Sequence, residues 1–290
     1  MTLPMVVGVD GSEPSLRAVD WAADEASLRG VPLRVVYASL WERYEGTSIA
    51  EGLAKPDEQV MAEDIVDTAA RRARRRHPEL AVSGEVLAEE PEYALVRESR
   101  SASMLVTGTR GRSGLAEALL GSVSLIVAGH AQCPMVVVRG NHDNQARTGT
   151  HGRIVVGVGE KPAGSAAVRF AFDEARRRGV PVDVVRAWRW PAHETTDHPL
   201  MSGEPARLHE QQAVEALDTA LQDVPADVEA HRRTVEGHTR TVLVDASRDA
   251  DLLVIGAKRR SGHYGLQLGR VAHGVLHHSA CPVVVVPEKG

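Results

Sequence analysis

Aromatic side chains are nearly absent: Trp, Tyr and Phe together make up 3% of the 290 residues. A core must therefore be packed from Val, Leu, Ile and Ala, and few flat rings are available for stacking nucleic-acid bases. Charge excess is small as well. The formal net charge of −5 excludes nucleic acid as a partner held by a bulk basic surface. Arg outnumbers Lys 30 to 4, which reads as GC-rich codon bias rather than chemistry. No apolar run approaches the ~20 residues that span a bilayer, so no membrane association is expected. The opening MTLPMVVGVDGS lacks the basic start and apolar centre of a secretory signal and reads as a β-strand instead. A cytoplasmic location is expected. Cysteine is scarce: Cys133 and Cys281 each precede a proline, and no disulfide is expected between them in that compartment.

What is present is written twice. VVGVDGS (6–12) returns as VVGV (155–158), MLVTGTRGRSG (104–114) as LLVIGAKRRSG (252–262), and CPMVVVR (133–139) as CPVVVVP (281–287). The three pairs share nearly one offset, about half the chain, which is the mark of a duplicated domain. The polar stretch GNHDNQARTGTHG between the copies reads as a linker. The expected layout is one domain over 1–140, a connector over 141–152 and a second domain over 153–290.

Within the first copy, strands and helices alternate. Strands are expected at 5–10, 33–38, 81–88, 104–108 and 135–139, with helices at about 15–29, 57–76, 92–99 and 123–130. Alternation of this kind predicts βαβ units. Runs such as LLVIGA and VVVV, apolar on both faces, suit a parallel sheet covered on both sides. The fold class is α/β: two tandem Rossmann-like domains, each a five-stranded, mostly parallel sheet with helices on both faces. Ligands of such sheets bind beyond the carboxyl ends of the strands, at the topological switch point. Asp10 and Gly108 both fall at expected carboxyl ends.

TGTRGRSGLAEALLGSVS (107–124) is the densest glycine stretch beside a strand end. Glycine admits positive φ and close approach of a ligand to the backbone. Several in one loop can aim consecutive N–H groups at an anion. Ser122-Val123-Ser124 then opens a helix, whose first amides lack partners and carry the positive end of the dipole. A plain flexible turn is the alternative. The P-loop pattern GxxxxGK[ST] and the dinucleotide pattern GxGxxG are both missing here.

The spacing Gly108-x-x-Gly111, nine residues, then Gly121-Ser122 resembles the G-2x-G-9x-G-[ST] ATP-binding motif of the universal stress protein family. VVGVDGS at the first strand and CPMVVVR at the last are similar to that family too, and the two copies cover nearly the whole chain. The resemblance implies ATP, alone or with Mg2+, bound in the first copy and a role in regulation or stress adaptation. It implies that Gly8 lies under the nucleotide, that Asp10 meets the ribose hydroxyls, and that the backbone at Ala38 meets the adenine edge. Gly108, Thr109, Arg110, Gly111, Arg112, Ser113 and Gly114 would surround ribose and phosphates, and Gly121, Ser122, Val123 and Ser124 would hold the outer phosphates. The family's last strand mediates pairing between domains. The resemblance thus implies an internal pseudo-dimer of the two halves and allows a homodimer of the whole chain.

The second copy departs from this pattern. Arg259 stands at the second motif glycine, Arg270 at the serine and Gly159 at Asp10. It reads as a nucleotide-free partner domain. The rival reading has Lys258, Arg259, Arg260 and Arg270 bind phosphate through their side chains.

ARRARRRH (70–77) reads as a solvated helix end, where cations suit the dipole. His130/Cys133 and His278/Cys281 share one spacing, but too few thiolates exist for a zinc set. No catalytic base stands out among Arg110, Arg112, Ser113 and Glu117, so slow ATP hydrolysis is the most that is expected. A nucleotide-free interaction scaffold is the remaining alternative.

Overall fold

The computed structural model describes residues 2–40, 57–109, 120–139, 151–159, 164–189, 204–258 and 268–288. These fall into two compact units, one holding the described residues up to 139 and the other those from 151 onward.

In unit 1 the strands are β1 (Met5–Gly8), β2 (Leu33–Ala38), β3 (Val82–Leu87), β4 (Met104–Gly108) and β5 (Met135–Val138). Every described pairing within the unit is parallel, in the order β3-β2-β1-β4-β5. The helices are α1 (Glu13–Arg29), α2 (Asp57–Arg76), α3 (Pro91–Glu98) and α4 (Ser122–His130). Strand β4, inside the sheet, is buried along its full length, so both faces of the sheet are covered. Met5, Leu33, Met104, Leu105 and Met135 are fully buried, and aliphatic bulk fills the space that aromatics usually take. The strand order turns back at β1, which places the switch point between the carboxyl ends of β1 and β4.

Local sequence explains the helix ends. Ser12 caps α1 by accepting from Ser15 N, Pro14 sits in the first turn, and Gly30 ends the helix at φ 63°. The arginines of α2 are largely spoken for. Arg72 forks onto Asp20 at 2.6 and 2.7 Å, and Arg76 grips Asp24, tying α2 to α1.

Unit 2 repeats the plan with β6 (Ile154–Gly157), β7 (Val182–Trp188), β8 (Ala230–Glu236), β9 (Leu252–Lys258) and β10 (Val283–Glu288). Its strand order is β8-β7-β6-β9-β10, again parallel. Its helices are α5 (Ala166–Arg178), α6 (Glu204–Ala220), α7 (Thr239–Ala246) and α8 (Arg270–His278). No described helix of either unit is long and apolar enough to cross a membrane.

One charged position on the second strand has changed sign between the units. Arg34 on β2 reaches Glu98 at 3.1 Å and also pairs with Glu85. The matching register position on β7 is Asp183, whose side chain is 3% exposed. Arg233 lies 3.1 Å from it, Arg153 3.6 Å, and His231 Nδ1 2.9 Å. The bond to Asp183, then that to Glu229, raises the His231 pKa above its ordinary value. A raised folded-state pKa stabilises the fold in full below the unfolded value of 6.5, and that contribution is lost as pH rises through the folded value. His231→Gln is therefore expected to lower the urea midpoint on the acid side of 6.5 and to match the parent protein in alkali. Parallel urea titrations across pH check this.

Candidate functional site

A cavity of about 440 Å³ opens at the switch point of unit 1. Gly8 at the end of β1, Val9 and Asp10 just after it, Val36 and Ala38 on β2, and Thr107 and Gly108 on β4 form one side. Ser15 of α1, Pro91 and Leu95 of α3, and Gly121 through Ser124 at the start of α4 complete it. The lining has two characters. Val36, Pro91 and Leu95 make an apolar wall, while Asp10 and the first turn of α4 supply the polar groups.

The start of α4 is open for a backbone reason. Gly121 is the N-cap and offers no side-chain acceptor. The first bond of the helix is Leu125 N to Gly121 O at 3.1 Å. The N–H groups of Ser122, Val123 and Ser124 therefore have no partner among the described residues. Gly121 N donates to Thr109 O at 2.7 Å, which pins together the two ends of the intervening segment.

The two serines of this turn differ. Ser122 is exposed, and its hydroxyl has no partner among the described residues. Ser124 is buried; its hydroxyl donates to Gly108 O at 2.8 Å and accepts from Thr107 Oγ1 at 3.1 Å. That hydroxyl fastens α4 to the end of β4, so what Ser124 offers a ligand is its amide.

Gly108 is required by packing. A Cβ there would lie 2.6 Å from Pro14 O and 2.7 Å from Pro14 C, in the first turn of α1. The glycine lets a helix end rest on a strand end. At Gly8 a Cβ would lie 3.0 Å from Leu95, on the apolar wall.

Asp10 is held by its neighbours. Its Oδ1 accepts from Ser12 N at 3.0 Å and from Ser12 Oγ at 2.6 Å, across Gly11 at φ 81°. Of the residues singled out in the sequence, Gly8, Asp10, Ala38, Gly108, Gly121, Ser122, Val123 and Ser124 thus line one cavity. Thr109 stands at its edge through the bond to Gly121. Arg110, Gly111, Arg112, Ser113 and Gly114 lie outside the described residues, as does Glu117. Sequence reasoning missed Val9, Ser15, Val36, Pro91, Leu95 and Thr107. Leu95 had a signal: it recurs as Leu243, which stands 3.0 Å from a Cβ built on Gly157.

Unit 2 uses the same positions differently. The first turn of α8 reads Arg270-Val271-Ala272 after the cap Gly269. A cation at N1 faces the positive end of its own helix. Ile255 and Ala272 stand where Thr107 and Ser124 are bonded in unit 1, so the polar fastening is gone. Both first helices end on a left-handed glycine, Gly30 and Gly179, yet α5 has 13 residues where α1 has 17. The missing turn is the one that covers Gly108 in unit 1. Glu288 takes its place: a Cβ on Gly256 would lie 2.8 Å from Glu288 Oε1. That carboxylate accepts from Ser165 Oγ at 2.7 Å, Ala166 N at 3.0 Å and Ala167 N at 3.1 Å. Lys258 closes β9, and Arg259 and Arg260 lie outside the described residues.

Cys133 and Cys281 are buried free thiols whose pKa values burial pushes up to about 12, so both behave as core residues. His130 bonds the carbonyl of Ile126 at 2.8 Å. Among the described residues no group of three or more His, Cys, Asp or Glu could hold a metal.

Unit 1 is thus a parallel α/β domain whose switch-point cavity is bounded, among the described residues, by the first amides of α4 and by the Asp10 carboxylate. The family model of the universal stress proteins matches residues 1–139 and 150–287, and the chain belongs to that family. A universal stress protein of Mycobacterium tuberculosis is 34% identical over 303 aligned residues, covering 98% of this chain and 94% of its own. The crystal structure of a universal stress protein from Archaeoglobus fulgidus superposes with a TM-score of 0.68 at 18% identity, covering 98% of each chain. A universal stress protein from the same organism, solved in complex with dAMP, matches 47% of this chain and 98% of its own at 26% identity, with a TM-score of 0.37.

Gly108→Ala forces a methyl into the Pro14 backbone. It is expected to destabilise unit 1 by about 1–3 kcal/mol, the usual cost of overpacking. The equivalent Gly256→Ala meets the movable end of Glu288 and is expected to cost less. Chemical denaturation of both variants checks the order.

Proposed function

We propose that unit 1 binds ATP, alone or with Mg2+, as the regulatory ligand of a cytoplasmic stress-adaptation protein, and that unit 2 is nucleotide-free. The observation that carries the reading is the row of three amides, Ser122 to Ser124, unpartnered among the described residues, at one end of a cavity whose other wall is apolar. Backbone amides at a helix start favour phosphate through both hydrogen bonds and the helix dipole. The apolar wall of Val36, Pro91 and Leu95 suits a flat base, with the Ala38 backbone at its edge. Asp10 suits ribose hydroxyls. The loop from Gly108 through Thr109, Arg110, Gly111, Arg112 and Ser113 to Gly114 would close over ribose and phosphates. The family motif supports ATP over other nucleotides, because its spacing is intact in unit 1 and broken in unit 2.

Three features support an empty unit 2: Gly159 in place of Asp10, Arg270 in place of Ser122, and a Glu288 carboxylate already seated on the first helix. An anion lodged there repels a second one. Buried, unreactive thiols fit the cytoplasmic placement.

The test is nucleotide content. Protein is purified, saturated with ATP, freed of unbound ligand and denatured, and the released nucleotide is counted. One ATP per chain is expected. Two per chain would overturn the reading of unit 2, and none, together with no heat of binding on titration, would overturn that of unit 1.

A further inference from the structure

Both units seat a carboxylate on the N-cap serine of their first helix, and the two carboxylates are used differently. In unit 2, Ser165 Oγ donates to Glu288, and both oxygens of that carboxylate are bonded, with three donors between them. In unit 1, Ser12 Oγ donates to Asp10, and both bonds, 2.6 and 3.0 Å, fall on Oδ1. Asp10 Oδ2 has no partner among the described residues. Both oxygens of the unit 2 carboxylate are therefore engaged, and that of unit 1, a residue of the cavity lining, keeps one oxygen without a partner among the described residues.

The lock on Oδ1 is built in layers. Ser12 Oγ also accepts from Ser15 N at 3.4 Å, so the hydroxyl's proton is directed to Asp10. Ser15 Oγ donates to Ser12 O at 2.8 Å and accepts from Asp10 N at 3.4 Å, and Ser15 is itself buried. Gly11 supplies the left-handed backbone that brings Ser12 back onto Asp10. A carboxylate held this way cannot rotate to exchange its oxygens without breaking a charge-assisted bond. The free oxygen accepts, so it selects a donor, and a sugar diol supplies two.

We propose that Ser12 is the positioning residue that fixes Asp10 Oδ2 toward the ribose diol, giving unit 1 its preference for ribonucleotides. The inference rests on the reading of unit 1 as a nucleotide site. Ser12 acts through Asp10, and its hydroxyl matters because it sets which carboxylate oxygen remains free.

The experiment compares ATP with 2′,3′-dideoxy-ATP by calorimetry on the full chain. The parent protein is expected to prefer ATP by roughly tenfold or more, the worth of a hydrogen bond to a charged group. Ser12→Ala is expected to weaken ATP several-fold, leave dideoxy-ATP nearly unchanged and so collapse the preference, while Ser12→Thr restores it. Ser12→Gly removes the same hydroxyl with little loss of helix capping and serves if the alanine variant folds poorly. Asp10→Asn is the reference for full loss of the preference. Equal weakening of both nucleotides in Ser12→Ala and Ser12→Gly would mean that Ser12 only caps the helix, and the proposal would fall. A preference kept in those variants but lost in Asp10→Asn would overturn it too, as would a parent protein that binds both nucleotides equally. Absence of any ATP binding to the parent protein would instead reject the nucleotide reading beneath it.

Discussion

A parallel sheet covered on both faces leaves one kind of place for chemistry. Its inner strands are buried along their length, as β4 is here, so the groups that can meet a ligand collect where the strands stop. In unit 1 everything that can meet a ligand lies within a few residues of a strand's carboxyl end or a helix's first turn. The scarcity of aromatics sharpens this. Val, Leu and Met fill the sheet, Val36, Pro91 and Leu95 form the cavity wall, and the described polar groups there are backbone amides, hydroxyls and one carboxylate.

The strand–helix contact at Gly108 links fold to site. Because Pro14 rests on Gly108, the first turn of α1 is brought to the end of β4. That turn carries Ser15, and its cap Ser12 holds Asp10. On the other side, Ser124 binds Gly108 O and Thr107 and fixes the start of α4 to the same strand end. One glycine thus sits between the helix that positions the carboxylate and the helix that presents the amides. Its conformational freedom matters less here than its lack of a side chain.

Much of this was legible in the sequence. Strand β2, helix α2 and strand β4 fall on the expected residues, because their periodicity is strong and their ends are marked. The shifts are small and physical. β1 stops at Gly8 because the chain turns at Gly11 to bring Ser12 onto Asp10, and α1 starts at Glu13 because Ser12 caps it. The gathering of Gly8, Asp10, Ala38, Gly108 and Gly121–Ser124 about one cavity follows from the motif and the βαβ order. What could not be read depends on contacts far apart in sequence. Ser124 looks like a phosphate ligand until its hydroxyl is found on Gly108, 16 residues away. Glu288 reaches Ser165 across 123 residues, and nothing local marks a glutamate at the end of the last strand as a partner for a helix start.

The second unit arranges the corresponding positions differently. The first helix has 13 residues here against 17 in unit 1, and a Cβ on Gly256 would meet Glu288 where one on Gly108 would meet the Pro14 backbone. Bare amides at a helix start attract an anion. Glu288 supplies one from the same chain, so the need is met permanently rather than by something that comes and goes. Once a carboxylate is fixed there, an aspartate after β6 has no serine left to hold it, and Gly159 carries no such burden. Arg270 stands at the start of α8, and Ile255 with Ala272 replaces a polar fastening by an apolar one. The same fold has spent its polar capacity internally in one copy and kept it open in the other.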